Sequence, residues 1–276
     1  WLNCFSDEVP KLQLPEDFKR PSINNYEGDT LTFELNSTET EGLKSIAHNE
    51  GATVFMLILS VFNVFLSKIG NQEDIVVGTP ISGRQHADID SVIGMFVNTL
   101  PLRNFPKGDL SFTSFLKSVK ESLLNAFTNQ SFQFEDLIDS LALSRNTAHN
   151  PLFDVMFVYT NFEPSTIELN GLKLEPFESE HHVSKFDITL DATEHTDKLV
   201  FKFEYSTRLF KKETIVKFAA AFKRVITAVI GNSSIEIRDI DVLGTEEKNR
   251  LQFDFNSTSI DYPNDETVLD LFKVQV

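Results

Sequence analysis

Ser82, Arg84, Asn98, Thr99 and Arg103 all lie within residues 78–103 (GTPISGRQHADIDSVIGMFVNTLPLR), a stretch where small polar side chains alternate with glycine and β-branched residues. A hydroxyl or side-chain amide placed there could donate a hydrogen bond to a carbonyl oxygen or orient an incoming amine. Each residue also has a purely structural use. Ser82 fits a turn hydroxyl that bonds its own backbone, Arg84 a structural ion pair, and Gly94, Phe96 and Val97 turn and core positions. A buried polar residue in mid-strand must find a partner, and this leaves Asn98 and Arg103 open to either use.

The pattern predicts the elements that position these residues. Residues 74–77 (DIVV) read as a short buried strand, broken at 79–84 by residues that favour turns. Period-two alternation resumes from Gly94, which puts Asn98 and Thr99 on opposite sides of a strand. Further strands are predicted at 31–35, 153–159, 167–169, 172–176, 186–192 and 199–205, with Asn170-Gly171 as a hairpin turn. Helices are predicted at 37–49 with Ser37 and Thr38 as caps, from Thr53 onward, at 111–127 with Ser111 as cap, at 134–141 and at 211–230. Glu135 falls in the first turn of its helix, where a carboxylate meets the positive end of the dipole. Strands and helices mix without strict alternation, so the expected class is α/β, a mixed sheet covered by helices.

Composition narrows the partners. With 25 basic against 41 acidic side chains the net charge is −16, which repels nucleic acid and anionic membrane surfaces. The most apolar window, residues 54–69, is interrupted by Ser60, Asn63 and Ser67, the mark of a core helix rather than a membrane span. One cysteine, Cys4, excludes an internal disulfide framework and fits a reducing compartment, so the expected location is cytoplasmic.

Residues 93–103 (IGMFVNTLPLR), behind the GTPxxGR turn, closely resemble the fifth core motif of nonribosomal peptide synthetase condensation domains. Residues 129–135 (NQSFQFE) resemble the sixth motif, with Asn129, Ser131 and Gln133 where the family has His, Asp and Pro. Residues 145–157 (RNTAHNPLFDVMF) resemble the seventh, with Asn146, Ala148 and His149 replacing three polar or charged members. The resemblance implies a chloramphenicol-acetyltransferase-like lobe whose Ser82, Arg84, Asn98, Thr99 and Arg103 line a substrate tunnel. It divides the chain into a crossover segment at 1–30, a C-terminal condensation lobe at 31–244 and a linker toward an adenylation domain at 245–276.

The family's catalytic string, His-His-x-x-x-Asp-Gly, belongs to the N-terminal lobe and does not occur here, so the chain alone is expected to be inactive. The implied reaction joins a carrier-bound acyl donor to a carrier-bound aminoacyl acceptor. Both would be delivered on 4′-phosphopantetheine arms of partner domains, with no cofactor on this chain. The implied partners are the N-terminal condensation lobe, peptidyl and aminoacyl carrier domains and an adjacent adenylation domain. A noncatalytic carrier-docking module and a coenzyme A-dependent acyltransferase are the alternatives. The 26 phenylalanines exceed what a core of this size needs, so rings near Phe96, Phe132 and Phe134 are expected to face the other lobe.

His181 and His182 imitate the catalytic string in the wrong register: Asp187 lies five residues after His182 and no glycine follows it. This region instead matches the family's Lys-Phe-Asp-Leu strand start, here Lys185-Phe186-Asp187-Ile188, and no third ligand stands at metal-binding spacing. Replacing both histidines with Gln in the intact enzyme should leave turnover within about twofold, as for exposed substitutions. A large loss of rate with unchanged melting would assign them a role in the chemistry.

Overall fold

The computed structural model describes residues 1–23, 25–142, 147–161, 182–259, 261 and 266–276. The Asn170-Gly171 hairpin with both its strands, Arg145, Asn146 and His181 lie outside the described residues.

One six-stranded sheet organises Trp1–Val242, the larger of two compact units. Its strands are β1 (Gly28–Leu35), β2 (Ile75–Ile81), β3 (Asn98–Asn104), β4 (Val155–Thr160), β5 (Ile188–Glu194) and β6 (Leu199–Ser206), in the spatial order β1-β6-β5-β4-β2-β3. β4 runs parallel to both β2 and β5, and the remaining pairs are antiparallel. The sheet is therefore mixed, as the sequence predicts. β2 differs from expectation by running on through Thr79 and Pro80 to Ile81. Pro80 lies past the last β2–β4 pair, Gly78 with Met156, so β4 does not need its missing amide there.

The helices are α1 (Ser37–Asn49), α2 (Val54–Gly70), α3 (Phe112–Thr128), α4 (Phe134–Leu141) and α5 (Lys212–Gly231). Thr53 and Ser111 cap α2 and α3 with their side chains. At α1 the cap is Asn36 rather than Ser37 or Thr38. Asn36 Oδ1 accepts from the Glu39 amide at 2.9 Å while Glu39 returns the bond to the Asn36 amide at 3.0 Å, closing a reciprocal box. No single described helix is long and apolar enough to cross a membrane. Two polar side chains in the middle of buried α2 donate to its own backbone, Ser60 Oγ and Asn63 Nδ2 each at 2.8 Å to the carbonyl four residues earlier, while Asn63 Oδ1 has no hydrogen-bond partner among the described residues.

Side-chain alternation gives the sheet two different faces. Ile75, Val77, Val155, Phe157, Leu190, Phe201 and Phe203 turn toward α2, α3 and α5 and build the main core. Val76 and Met156 turn the other way and join Phe5, Leu137, Leu152 and Phe153 in a second, smaller cluster. The phenylalanines concentrate in the main core. The Phe222 ring lies 5.3–6.4 Å from those of Phe33, Phe62, Phe65, Phe201 and Phe203, mostly edge to face. On the opposite face Gly78 leaves room for Phe153, since a Cβ there would stand 2.1 Å from that ring.

The second compact unit, Leu243–Val276, contains α6 (Thr245–Asn249), a π-helical turn (Arg250–Asp254) and α7 (Val268–Gln275), which opens on a Thr267–Asp270 capping box. Tyr262 and Pro263 of the predicted linker lie outside the described residues.

The two faces predict different mutational costs. Phe222→Ala should lower unfolding free energy by about 3–5 kcal/mol through transfer and cavity terms. Gly78→Ala should cost about 1–3 kcal/mol through overpacking against Phe153. Leu124→Ala, half exposed on α3, should stay within about 0.5 kcal/mol. Urea titration of the three variants checks the order, and an unaffected Gly78→Ala would contradict the packing of the second face.

Candidate functional site

Residues 82–97 leave β2 and return as β3, and they form a loop tied together from within rather than the second strand expected from Gly94. Gly83 holds φ at +65°, and a Cβ on it would lie 1.8 Å from the Phe96 carbonyl oxygen, so only glycine allows the two ends of the loop to approach. Arg84 lies over the Phe96 ring at 4.5 Å and donates to the carbonyls of Ile89 and Gly94. The ion pair expected for Arg84 is replaced by these carbonyls and the ring. Ser82 is exposed, and its Oγ accepts from the Arg84 amide at 3.4 Å, the turn-hydroxyl geometry.

Asn98 opens β3 and is 5% exposed. Its Nδ2 donates at 2.9 Å to the carbonyls of Gln130 and Phe132, and its Oδ1 accepts from the amides of Thr99 at 2.8 Å and Phe134 at 3.1 Å. Three of these bonds, to Gln130, Phe132 and Phe134, pin the start of β3 to the α3–α4 connection. They tie the fifth motif to the sixth. Thr99 is half-buried and pairs with Pro80 across the ladder. Beside Asn98 a hollow of about 360 Å³ is lined by Gly83, His86, Phe96, Asn98, Gln130 and Gln133.

Arg103 lies five residues farther along β3, a separation of about 17 Å in extended chain, so the structure does not bring it to Ser82 and Arg84. Its side chain is 2% exposed and forked onto Asp74 at 2.7 and 3.0 Å, with Asp7 at 2.7 Å and the carbonyls of Cys4 at 2.8 Å and Glu8 at 3.2 Å. Its hydrogen bonds to the Asp74 and Asp7 carboxylates hold the guanidinium charged well above its ordinary range.

The seventh motif forms a second anchor. His149 Nδ1 lies 2.6 Å from Asp154 Oδ2, and Asp154 Oδ1 accepts from the Asn150 amide at 2.8 Å. The Asp154 carbonyl accepts from the Asp187 amide at 2.8 Å, and the Asp187 carboxylate takes a two-pronged guanidinium from Arg20, which also reaches the Ala148 carbonyl at 3.3 Å. Burial pushes Asp187 up to about 6, against the pull of Arg20 and with help from the nearby Asp154 charge. His149 and Asp154 border a cleft of about 890 Å³ between residues 5–12, α4 and the segment before β4. Asp7, Arg20, Asp74 and Asp154 were not singled out in the sequence: their partners are distant along the chain, and charge type alone gave no local signal.

Among the three rings expected to face outward, Phe96 is packed under Arg84 and Phe134 tilts against Phe153 at 5.5 Å, while Phe132 is 42% exposed. The larger outward apolar set is aliphatic: Ile93 and Met95 are 101% and 90% exposed, with Val92 and Val97 beside them. Among the described residues, no cluster of three or more His, Cys, Asp or Glu could hold a metal ion.

The four bonds of Asn98 make it a structural residue. Asn98→Ala should lower unfolding free energy by about 1–3 kcal/mol because it strands buried backbone groups. Arg103→Lys, which keeps the charge and loses the fork, should also lower the melting temperature, whereas exposed Ser82→Ala should not. Equal melting of all three variants and the parent would refute this division.

The family description "Condensation domain" matches residues 1–252. Bacitracin synthase 3 of Bacillus licheniformis is 46% identical over 272 residues, and tyrocidine synthase 3 of Brevibacillus parabrevis is 43% identical over 275. These alignments cover 99% and 100% of this chain and 4% of each synthase, so the chain spans a small part of the length of these relatives. In structure, a four-domain nonribosomal peptide synthetase bound to AMP and glycine superposes with a TM-score of 0.81 at 22% identity, over 90% of this chain and 20% of that one. The X-domain from teicoplanin biosynthesis gives 0.81 at 24%, over 88% and 56%, and these two likenesses speak to the fold alone. Motifs, fold and relatives agree, and the chain belongs to the Condensation domain family.

Proposed function

We propose that this chain is the C-terminal lobe of a nonribosomal peptide synthetase condensation domain and forms one wall of the tunnel in which a carrier-bound acyl donor meets a carrier-bound aminoacyl acceptor. The carrying observation is the loop at 82–97: closed from within through Gly83 and Arg84 and anchored at its end through Asn98 to the α3–α4 connection, it holds Val92, Ile93, Met95 and Val97 outward on a fixed frame. A loop with that much exposed apolar surface suits a partner face. The N-terminal lobe is the partner proposed for it, and Leu243–Val276 is the proposed link toward an adenylation domain.

In the proposed reaction the acceptor nitrogen attacks the donor thioester carbon, the C–N bond forms, the C–S bond breaks, the donor thiol departs and the nitrogen loses a proton. The 4′-phosphopantetheine arms of the partner carriers supply the thioesters. Holding the two at attack distance contributes roughly 7–11 kcal/mol in the best intramolecular systems, and a rigid wall serves that purpose. Exposed Ser82 and half-buried Thr99 remain placed to touch substrate. Asn98, Arg84 and Arg103 are committed to the frame and would act by positioning the wall. The proposed setting is the cytoplasm.

A second reading, a noncatalytic docking module, draws support from that commitment of polar groups and from a relative of the same fold, the teicoplanin X-domain, which forms a complex with OxyB.

The chain alone should form no peptide bond. Carrier-bound donor and acceptor thioesters incubated with it should yield no amide above the uncatalysed rate by mass spectrometry, and a separately produced N-terminal lobe should restore product. Amide formed by the chain alone would overturn the half-site reading, and no amide with both lobes would favour the docking module.

A further inference from the structure

Among the described residues, the sheet face opposite the main core is covered only in part. The cluster around Phe5, Phe153 and Met156 extends to Val158 and Phe186 and stops. Beyond Val158 the ladder aligns two polar rows, Asp191–Lys202–Thr32 and Thr160–Thr193–Val200–Glu34, which no described hydrophobic cluster covers.

Asp191 stands out in these rows. It sits in mid-strand on β5, between β4 and β6, where a carboxylate is an unfavourable strand residue. It is half-buried, yet its one hydrogen bond among the described residues is a long one, from the Thr193 hydroxyl at 3.4 Å. Lys202 is its cross-strand neighbour but is exposed and makes no ion pair with it. Burial raises the Asp191 carboxyl above its ordinary range, and the Lys202 charge opposes this only in part. Compare Asp187 and Asp154 in the same fold. Each is buried and each is repaid, by Arg20 or by His149 and a backbone amide. A carboxylate that is desolvated and barely bonded costs stability that the chain does not recover, and such groups concentrate at binding sites. Thr189 and Thr193, one step along β5 on either side, add hydroxyls on the same face.

We infer that Asp191 is the contact for the amino group of the aminoacyl acceptor, with Thr193 orienting its carboxylate and the polar rows of β4, β5 and β6 serving as the floor on which the acceptor lies. The inference rests on the condensation reading and assigns a residue to its acceptor side. An ammonium or amine over Asp191 supplies the missing hydrogen bonds, and a donor acyl group, which carries no amine at its reacting carbon, gains nothing from the carboxylate.

The test uses the intact synthetase with Asp191→Asn, which keeps shape and removes charge, and Asp191→Thr, which matches its neighbours on the strand. Both should melt at or above the parent temperature, since an under-bonded, half-buried carboxylate is lost. Single-turnover condensation is measured against acceptor-carrier and donor-carrier concentration separately. Both variants should lose roughly ten- to a hundredfold in acceptor efficiency, the scale of one charge-assisted hydrogen bond, with donor dependence unchanged. With an α-hydroxyacyl acceptor, whose hydroxyl offers one neutral donor in place of the ammonium, the loss in ester formation should be markedly smaller than the loss in amide formation. Equal loss toward donor and acceptor, equal loss with the hydroxyacyl acceptor, or no loss at all would overturn the assignment while amide formation by the parent upholds the condensation reading. A parent that forms no amide would overturn both.

Discussion

The buried guanidinium of Arg103 fixes how the N-terminal segment lies across the sheet. β3 carries it to a site where Asp74 from the start of β2, Asp7 and the carbonyls of Cys4 and Glu8 converge. Arginine suits this place better than lysine because its planar fork meets the carboxylate of Asp74 with two parallel bonds and still reaches three further acceptors. A desolvated charge is tolerated only with such full bonding, and removal of one partner is therefore more costly than the pair is stabilising. The consequence is architectural. With residues 5–12 tethered, Phe5 is delivered to the second cluster, and the cleft beside α4 acquires its outer wall.

From that tether the division of the sheet follows. Main-core packing occupies one face with aromatic and aliphatic rows from α2 and α5, and the ring-on-ring contacts of Phe222 make it stiff. On the other face a compact plug of Phe5, Leu152, Phe153 and Met156 covers the β2–β4 side, made possible by the missing side chain at Gly78. The β5–β6 side keeps threonines and charges. A sheet buried on one face and polar on the other is ordinary for antiparallel strands, but β5 is also parallel to β4, and its Asp191 is set deeper than a solvated surface carboxylate. The two anchors, Arg103 with Asp74 and Arg20 with Asp187, stand at the margins of this face and hold the chain segments that frame it.

Local signals were legible where the physics is local. The Ser111 cap, the helix start at Thr53, the 3.6-residue pattern of α5 and Glu135 in the first turn of α4 all read correctly because each depends on neighbours within one or two turns. The mixed sheet read correctly for the same reason, through strand periodicity. Two local readings failed instructively. Asn36 outcompeted Ser37 because its side chain reaches the third amide while Glu39 reaches back. Alternation at Met95 and Val97 imitated a strand, but Gly83 and Arg84 draw that segment into a closed loop before β3 begins at Asn98. What the sequence could not reveal was partnership at a distance. Asp187 and Arg20 are 167 residues apart, and Arg103 and Asp7 are 96 apart, so charge type alone leaves their pairing undetermined.

The candidate site itself shows why motif residues and contact residues need not coincide. The fifth, sixth and seventh motifs converge on hydrogen bonds made inside the fold: Asn98 to the 130–134 backbone, Arg84 to its own loop, His149 to Asp154. Such groups are satisfied and have little left to offer a ligand. Their product is placement, a loop whose aliphatic side chains stand outward on a frame with few degrees of freedom, and an association surface prepared in this way loses less entropy on docking than a loose one. Contact with substrate then falls to groups that the frame leaves unsatisfied, among them the exposed Ser82 hydroxyl and the under-bonded Asp191 carboxylate, neither of which needs to belong to the hydrogen-bonded heart of a motif.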